Sequence, residues 1–293
     1  MKETVVITGA SSGIGKETAR TFARAGWNVA ATMRSPEKET ELAAVNGIKC
    51  YKLDVTDDQS VSAAIDAIRA DFGRIDVLVN NAGYSLTSPF EKTSPAQIDH
   101  QFDVNVFGVM RIIRRVLPEF RQRRDGCIIN VTSMGGLLTL PIYSAYHGTK
   151  WALEGFSESL YFELKTLNIR VKTILPGVIK TDFYSRSMAS GENKAVTDYD
   201  VYETQANKAN ELFKKIAPGP GVVAKAILKA AEDHSPRLRY VVGRDAKILL
   251  TLRKLMPTGA FVSLLSWAMS IRYKKKLRQL EQRGQGQGTP QEA

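Results

Sequence analysis

Cysteine is scarce in this 293-residue chain, which has only Cys50 and Cys127. Each lies inside a strand-like run, IKCYKL and GCIINV. That placement predicts two small buried side chains in a reducing compartment, not a disulfide framework or a metal site. No basic and then apolar leader precedes the first strand-like run, because Met1-Lys2-Glu3 passes directly into TVVIT; this argues against a secretory signal and for a cytoplasmic protein. Uninterrupted apolar runs fall short of the ~20 residues a spanning helix needs. Acidic residues are in deficit, 30 Asp and Glu against 41 Lys and Arg, for a formal charge of +11. Such a balance suits an anionic partner: a phosphorylated cofactor, an anionic membrane surface or nucleic acid. The basic residues are dispersed apart from RIIRRVLPEFRQRR and RYKKKLR, and no recognition motif accompanies them, so nucleic acid is not expected as a partner.

What the chain does have is a 43% hydrophobic content, ample for one large domain with a tail. Thr4–Thr8 is a short β-branched run followed at once by Gly9-Ala-Ser-Ser-Gly13-Ile-Gly15 and a helical pattern ending at Gly26. Strand, glycine turn and helix in that order form a phosphate site: glycines let the backbone approach a pyrophosphate, and the helix N-terminus offers unpaired N–H groups. Candidate contacts here are Gly9, Ser11, Ser12, Gly13, Ile14 and Gly15. A second strand, Asn28–Thr32, runs into Met33-Arg34. An acidic residue at this point would bind the ribose 2′-hydroxyl of NAD, whereas arginine accommodates a 2′-phosphate. Arg34, with no acidic residue between Asn28 and Pro36, favours NADP(H) over NAD(H).

Further strands are expected at Ile48–Leu53, Ile75–Val79, Gly126–Thr132, Ile169–Leu175 and Tyr240–Val242. Asp54 and Val55 follow the third strand, Asn81, Ala82 and Gly83 the fourth, and Pro176, Gly177, Val178 and Thr181 the sixth, all at the carboxyl edge where open α/β sheets bind ligands. A long helical region is predicted from about Pro95 to Arg124, carrying Asn105, whose amide needs a hydrogen-bond partner if buried. From about residue 178 to 220 the pattern turns polar and irregular, with a helix around Tyr199–Ile216, the signature of a lid.

The chemistry concentrates in NVTSMGGLLTLPIYSAYHGTK, from Asn130 to Lys150. Tyr146 and Lys150 are four residues apart, so on a helix they share a face. A fixed cation favours the phenolate of a tyrosine whose free pKa is about 10. A tyrosine tuned in this way can exchange a proton with a carbonyl or alcohol oxygen, and Ser133 can donate a neutral hydrogen bond to the same oxygen. Tyr143 is a rival, but four residues beyond it stands His147, not lysine.

These runs, taken in order, resemble the short-chain dehydrogenase/reductase family: Thr8-Gly-Ala-Ser-Ser-Gly-Ile-Gly15, Asn80-Asn-Ala-Gly83, Asn105, Ser133, Tyr146-His-Gly-Thr-Lys150 and Pro176-Gly177. The resemblance extends from Thr4 to Gly243. It implies an α/β fold, a single doubly wound Rossmann domain with a central parallel sheet of about seven strands. It also implies catalytic residues Ser133, Tyr146 and Lys150, with Asn105 holding a water in a proton relay. Lys150 would also bind the nicotinamide ribose, and Asp54 would contact the adenine ring. Many NADP-preferring members carry a basic residue where this chain has Ser12, so the NADP reading rests on Arg34. NNAGYSLTSPFE, NVFGVMR and LEGFSESL are similar to the branch of hydroxysteroid and retinol dehydrogenases, implying a small lipophilic carbonyl or alcohol substrate and a homodimer or homotetramer. The alternative is an NADPH-binding sensor on the same fold with little turnover.

Residues 1–245 thus read as a catalytic domain and 246–293 as an extension. Ala246–Met256 is amphipathic, Pro257–Ile271 carries no charge, and Arg272–Arg278 is strongly basic, followed by a low-complexity end expected to be disordered. The segment 246–278 either lies on a membrane surface or packs on the protein or a partner subunit with its basic end solvated.

Overall fold

A computed structural model of the chain describes residues 2–181 and 188–267, the side chains of 209–214 and 216 excepted. The basic run Arg272–Arg278 and the low-complexity end lie outside the described residues, as does part of the expected lid, 182–187. In order, β1 (Thr4–Thr8), α1 (Gly13–Arg24), β2 (Asn28–Met33), a short α2 (Thr40–Ala43), β3 (Ile48–Lys52), α3 (Asp58–Phe72) and β4 (Val77–Asn80) form the first half. A two-residue β5 (Ser85–Leu86) precedes α4 (Pro95–Phe102), α5 (Gly108–Arg123), β6 (Gly126–Val131), α6 (Ser144–Lys165) and β7 (Ile169–Pro176). The chain continues through β8 (Met188–Ala189), α7 (Asp200–Ile216), α8 (Gly221–Glu232), β9 (Arg239–Val242) and α9 (Arg244–Leu255).

Seven strands make one sheet in the order β3-β2-β1-β4-β6-β7-β9, and each adjacent pair is parallel. This is the doubly wound Rossmann-type architecture. Alternation along the strands builds two cores. Val5, Ile7, Val77 and Val79 face α1 and α8, packing on Phe22, Val223 and Ile227. Val6, Leu78 and Ile128 face the other way, onto Val61, Ile65, Ile112 and Leu153 from α3, α5 and α6. The strand order reverses between β1 and β4, so the crevice that binds ligands in such sheets opens at their carboxyl ends.

The helical region expected from about Pro95 to Arg124 is present, with Asp103–Phe107 forming a π turn between α4 and α5, a feature that frequently marks functional sites. One expectation needs correction. Cys127 is fully buried but Cys50 is only partly so, because its strand is the sheet's edge. Both thiols are free.

Candidate active site

β1 ends at Thr8, and the chain turns through Gly9 at φ +65° and Gly13 at φ +53° into α1. The Gly9 turn is tight: a Cβ there would lie 2.8 Å from the Ala82 Cα. Its neighbour across the crevice is held by Thr8, whose hydroxyl accepts from the Asn81 and Ala82 N–H groups at 3.0 Å each. The Asn81 amide donates to the Thr8 and Gly9 carbonyls at 2.9 and 3.1 Å. Ser12 caps α1 without a side-chain bond, and the first turn has no acidic residue. Its N–H end therefore faces the crevice as an anion site. Gly15 does not line the cleft; a Cβ there would sit 2.3 Å from the Gly9 carbonyl, so it is needed for packing of helix on turn.

A cleft of about 520 Å³ runs from this turn to β6. Its walls include Gly9, Ser11, Ser12, Gly13, Ile14, Arg34, Asp54, Val55, Asn81, Ala82 and Gly83, then Ser133, Tyr146, Lys150, Pro176, Gly177, Val178 and Thr181. Apart from Gly15 and Asn105, all the site residues read from the sequence thus meet along one cleft. Arg34 is exposed at its rim. Burial works to raise the Asp54 carboxyl, but the Thr56 N–H at 3.0 Å and hydroxyl at 2.7 Å, helped by Arg34 and His100, hold it below the usual carboxylate range.

At the other end, β6 delivers Ser133 and α6 presents Tyr146. Ser133 and Tyr146 line the cleft together, and Ser133 works to lower the Tyr146 pKa. The Lys150 ammonium lies 5.8 Å from the Tyr146 ring centroid and donates to the Val131 carbonyl at 3.1 Å. Tyr143 also lines the cleft, 6.1 Å from Tyr146 between centroids, without the lysine one turn on. Burial pushes the Tyr146 phenol up to about 12, partly offset by Ser133. The same burial brings Lys150 down to about 8, against the pull of Glu154. In the free protein desolvation thus sets the direction of the Tyr146 shift.

Asn105 is 1% exposed in the π turn. Its amide donates to the Tyr84 carbonyl at 2.9 Å and the Thr149 hydroxyl at 3.1 Å, and its oxygen accepts from the Tyr84 N–H at 3.1 Å. The side chain ties the turn after β4 to α6.

Three further groups escape sequence reasoning. His147 spans two loops: Nε2 accepts from the Leu140 N–H at 3.0 Å and Nδ1 meets the Gly135 carbonyl at 2.9 Å. Burial lowers its pKa to about 4. Asn80 donates to Asn130 at 2.9 Å, and Asn130 to Ser157 at 2.8 Å, pinning β4, β6 and α6 together. Tyr84 and His100, rings 5.6 Å apart, line the cleft near Asp54. A histidine after a tyrosine carried no signal without the fold, and the Asn80–Gly83 motif pointed to the turn but not to the Asn130 and Ser157 partners.

The family model for short chain dehydrogenases matches residues 3–191. The chain is a short-chain dehydrogenase/reductase. Retinol dehydrogenase 8 of Bos taurus is 34% identical over 94% of this chain and 92% of its own. A short-chain dehydrogenase from Streptomyces avermitilis superposes with a TM-score of 0.75 at 30% identity, covering 99% of this chain and all of that one. The NADP-bound structure of ElxO is 29% identical with a TM-score of 0.67, covering 82% and 98%. This short-chain dehydrogenase/reductase resembles the retinol dehydrogenase branch, and is an oxidoreductase acting on the CH–OH group with a nicotinamide dinucleotide. The glycine turn, the uncapped helix end and the elongated cleft fit such a cofactor.

Proposed function

We propose that the protein interconverts a carbonyl and an alcohol on a small lipophilic substrate with NADP(H), using Tyr146 as the acid/base. The observation that carries this reading is the Ser133–Tyr146–Lys150 cluster at one end of a cleft whose other end holds the glycine turn and Arg34. When bound, the nicotinamide supplies or takes the hydride. The chain's own residues handle the oxygen: Ser133 and the Tyr146 hydroxyl hydrogen-bond it, and Tyr146 passes the proton.

With its pKa near 12, the Tyr146 phenol is protonated at neutral pH and can donate its proton to a carbonyl oxygen. Added positive charge near the ring would bring the phenolate within reach for oxidation. Arg34 supports NADP(H) because its guanidinium can pair with a 2′-phosphate. The apolar walls contributed by Leu140, Tyr143, Val104 and Met188, together with the likeness to a retinol dehydrogenase, support a lipophilic substrate.

The test is turnover of NADPH and NADH against aliphatic, aromatic, steroidal and retinoid carbonyls, with Tyr146→Phe alongside. NADPH-dependent reduction abolished in the variant supports the reading. Tight NADPH binding with no turnover across a widened panel would favour a sensor.

A further inference from the structure

Beyond β9 the chain turns an unusually apolar face to solvent. In α9 and the helical stretch 258–267, Ile248, Leu252, Leu255, Val262, Leu264 and Trp267 are 39 to 75% exposed. They are six of the eleven large apolar side chains exposed among the described residues.

The two helices are nevertheless ordered against each other and against the domain. Arg253 donates to the Thr258 hydroxyl at 2.9 Å and lies 5.5 Å from the ring centroid of Phe261, which is buried, as is Ala246. At the root of α9 the Asp245 carboxylate accepts from the Val178 N–H at 2.7 Å. Val178 lines the catalytic cleft, so the apolar face begins at the cleft wall.

The charge on this segment has one sign. From Ala246 to Leu280 the sequence carries eight Lys and Arg and no Asp or Glu, with Lys247 and Lys254 exposed on α9 itself. Apolar side chains interleaved with cations and an aromatic ring are what an anionic lipid interface accepts. A second copy of the chain fits less well, because a two-fold contact would set this acid-free face against itself. Among the described residues no helix is long and apolar enough to cross a membrane, so the contact would be at the surface.

We propose that α9 and residues 258–267 dock the protein on an anionic bilayer surface. The cleft is then carried at the lipid boundary by the Asp245–Val178 bond.

The test uses the full chain floated with vesicles of phosphatidylcholine and phosphatidylserine at a 7:3 ratio, and with phosphatidylcholine alone. Variants are Ile248→Ser/Leu255→Ser/Trp267→Ser and, in case the first fails to fold, Lys247→Gln/Lys254→Gln. The wild type should float with the anionic vesicles, and on the order of tenfold more weakly with neutral ones or after either set of substitutions. Floating that is insensitive to both sets, or none at all, overturns the proposal. So does a wild-type oligomer that the apolar variant splits in light scattering while no vesicle binding occurs; the face would then belong to a second copy.

Discussion

Glu154 lies one helical turn beyond Lys150 on α6, and its carboxylate is shared between the Thr132 hydroxyl at 2.7 Å and the Arg239 Nε at 2.8 Å. The carboxylate is nearly inaccessible, at 2% residue exposure. It works to raise the pKa of Lys150, which burial lowers to about 8. Tyr146, Lys150 and Glu154 therefore repeat at i, i+4 and i+8 along one face, with the Lys150 ammonium between the Tyr146 phenol and the Glu154 carboxylate.

Removing that anion should show in the pH profile. In Glu154→Gln the Lys150 ammonium loses its attraction and gives up its proton at lower pH. The alkaline limb of kcat should move to lower pH, while Tyr146 and Ser133 stay in place. Arg239 keeps Glu158 as a partner, so the fold should survive at a cost of about 1–3 kcal/mol. An unmoved alkaline limb, measured by steady-state rates from pH 6 to 10, would show that Lys150 does not set it.

Tyr146→Phe removes only the hydroxyl from a partly buried ring. Turnover should fall by roughly 10²–10⁴-fold, the usual worth of a positioned acid/base. Cofactor affinity, read by fluorescence quenching, should change little. A variant that retained most of its kcat would reassign the proton to another group, with Tyr143 the first to examine.

Where the sequence was legible, it was so through patterns that are local. The strands are buried on both faces, so Thr4–Thr8 and Gly126–Val131 carry the unbroken apolar stretches Val5–Ile7 and Cys127–Ile129, with a glycine at one end of each. The proposed acid/base pair was legible because Tyr146 and Lys150 are fixed by one helix, and the glycine turn because strand and helix adjoin it. Other features depend on residues far apart in the chain. Glu154 meets Arg239 across 85 positions, and Asn80 meets Asn130 across 50; neither separation leaves a periodic trace. The π turn at Asp103–Phe107 was hidden because its sequence continues the helical pattern, and it is the tertiary bonds of Asn105 to Tyr84 and Thr149 that accompany the break.

On the proposed NADP(H) reading, substituting Arg34 should separate the two dinucleotides. Arg34→Ala should raise the KM for NADPH by roughly 10–100-fold, corresponding to about 1.5–3 kcal/mol for charged hydrogen bonds to a 2′-phosphate. The KM for NADH should be nearly unchanged. Equal effects on both would mean that Arg34 only shapes the rim. Lys16 is poorly placed to substitute for it, since its ammonium is engaged by Glu39 at 3.0 Å and Glu41 at 3.2 Å.

His147 should make stability depend on pH. Its folded pKa is about 4 against an ordinary 6.5, because burial disfavours the imidazolium where the ring bridges Leu140 and Gly135. Between those two values the unfolded chain binds a proton that the folded chain refuses, so stability is fully present above pH 6.5 and falls as the pH drops towards 4. A shift of that size corresponds to about 3 kcal/mol across the window. Urea denaturation at pH 7 and pH 5 should show a loss of 1–2 kcal/mol larger in the wild type than in His147→Gln, which has no proton to gain. Equal losses in both would place the acid sensitivity in carboxylates elsewhere. Because the same ring positions the loop carrying Tyr143, the wild type should also lose cleft geometry first in acid, detected as a rise in KM at pH values where the fold is still intact.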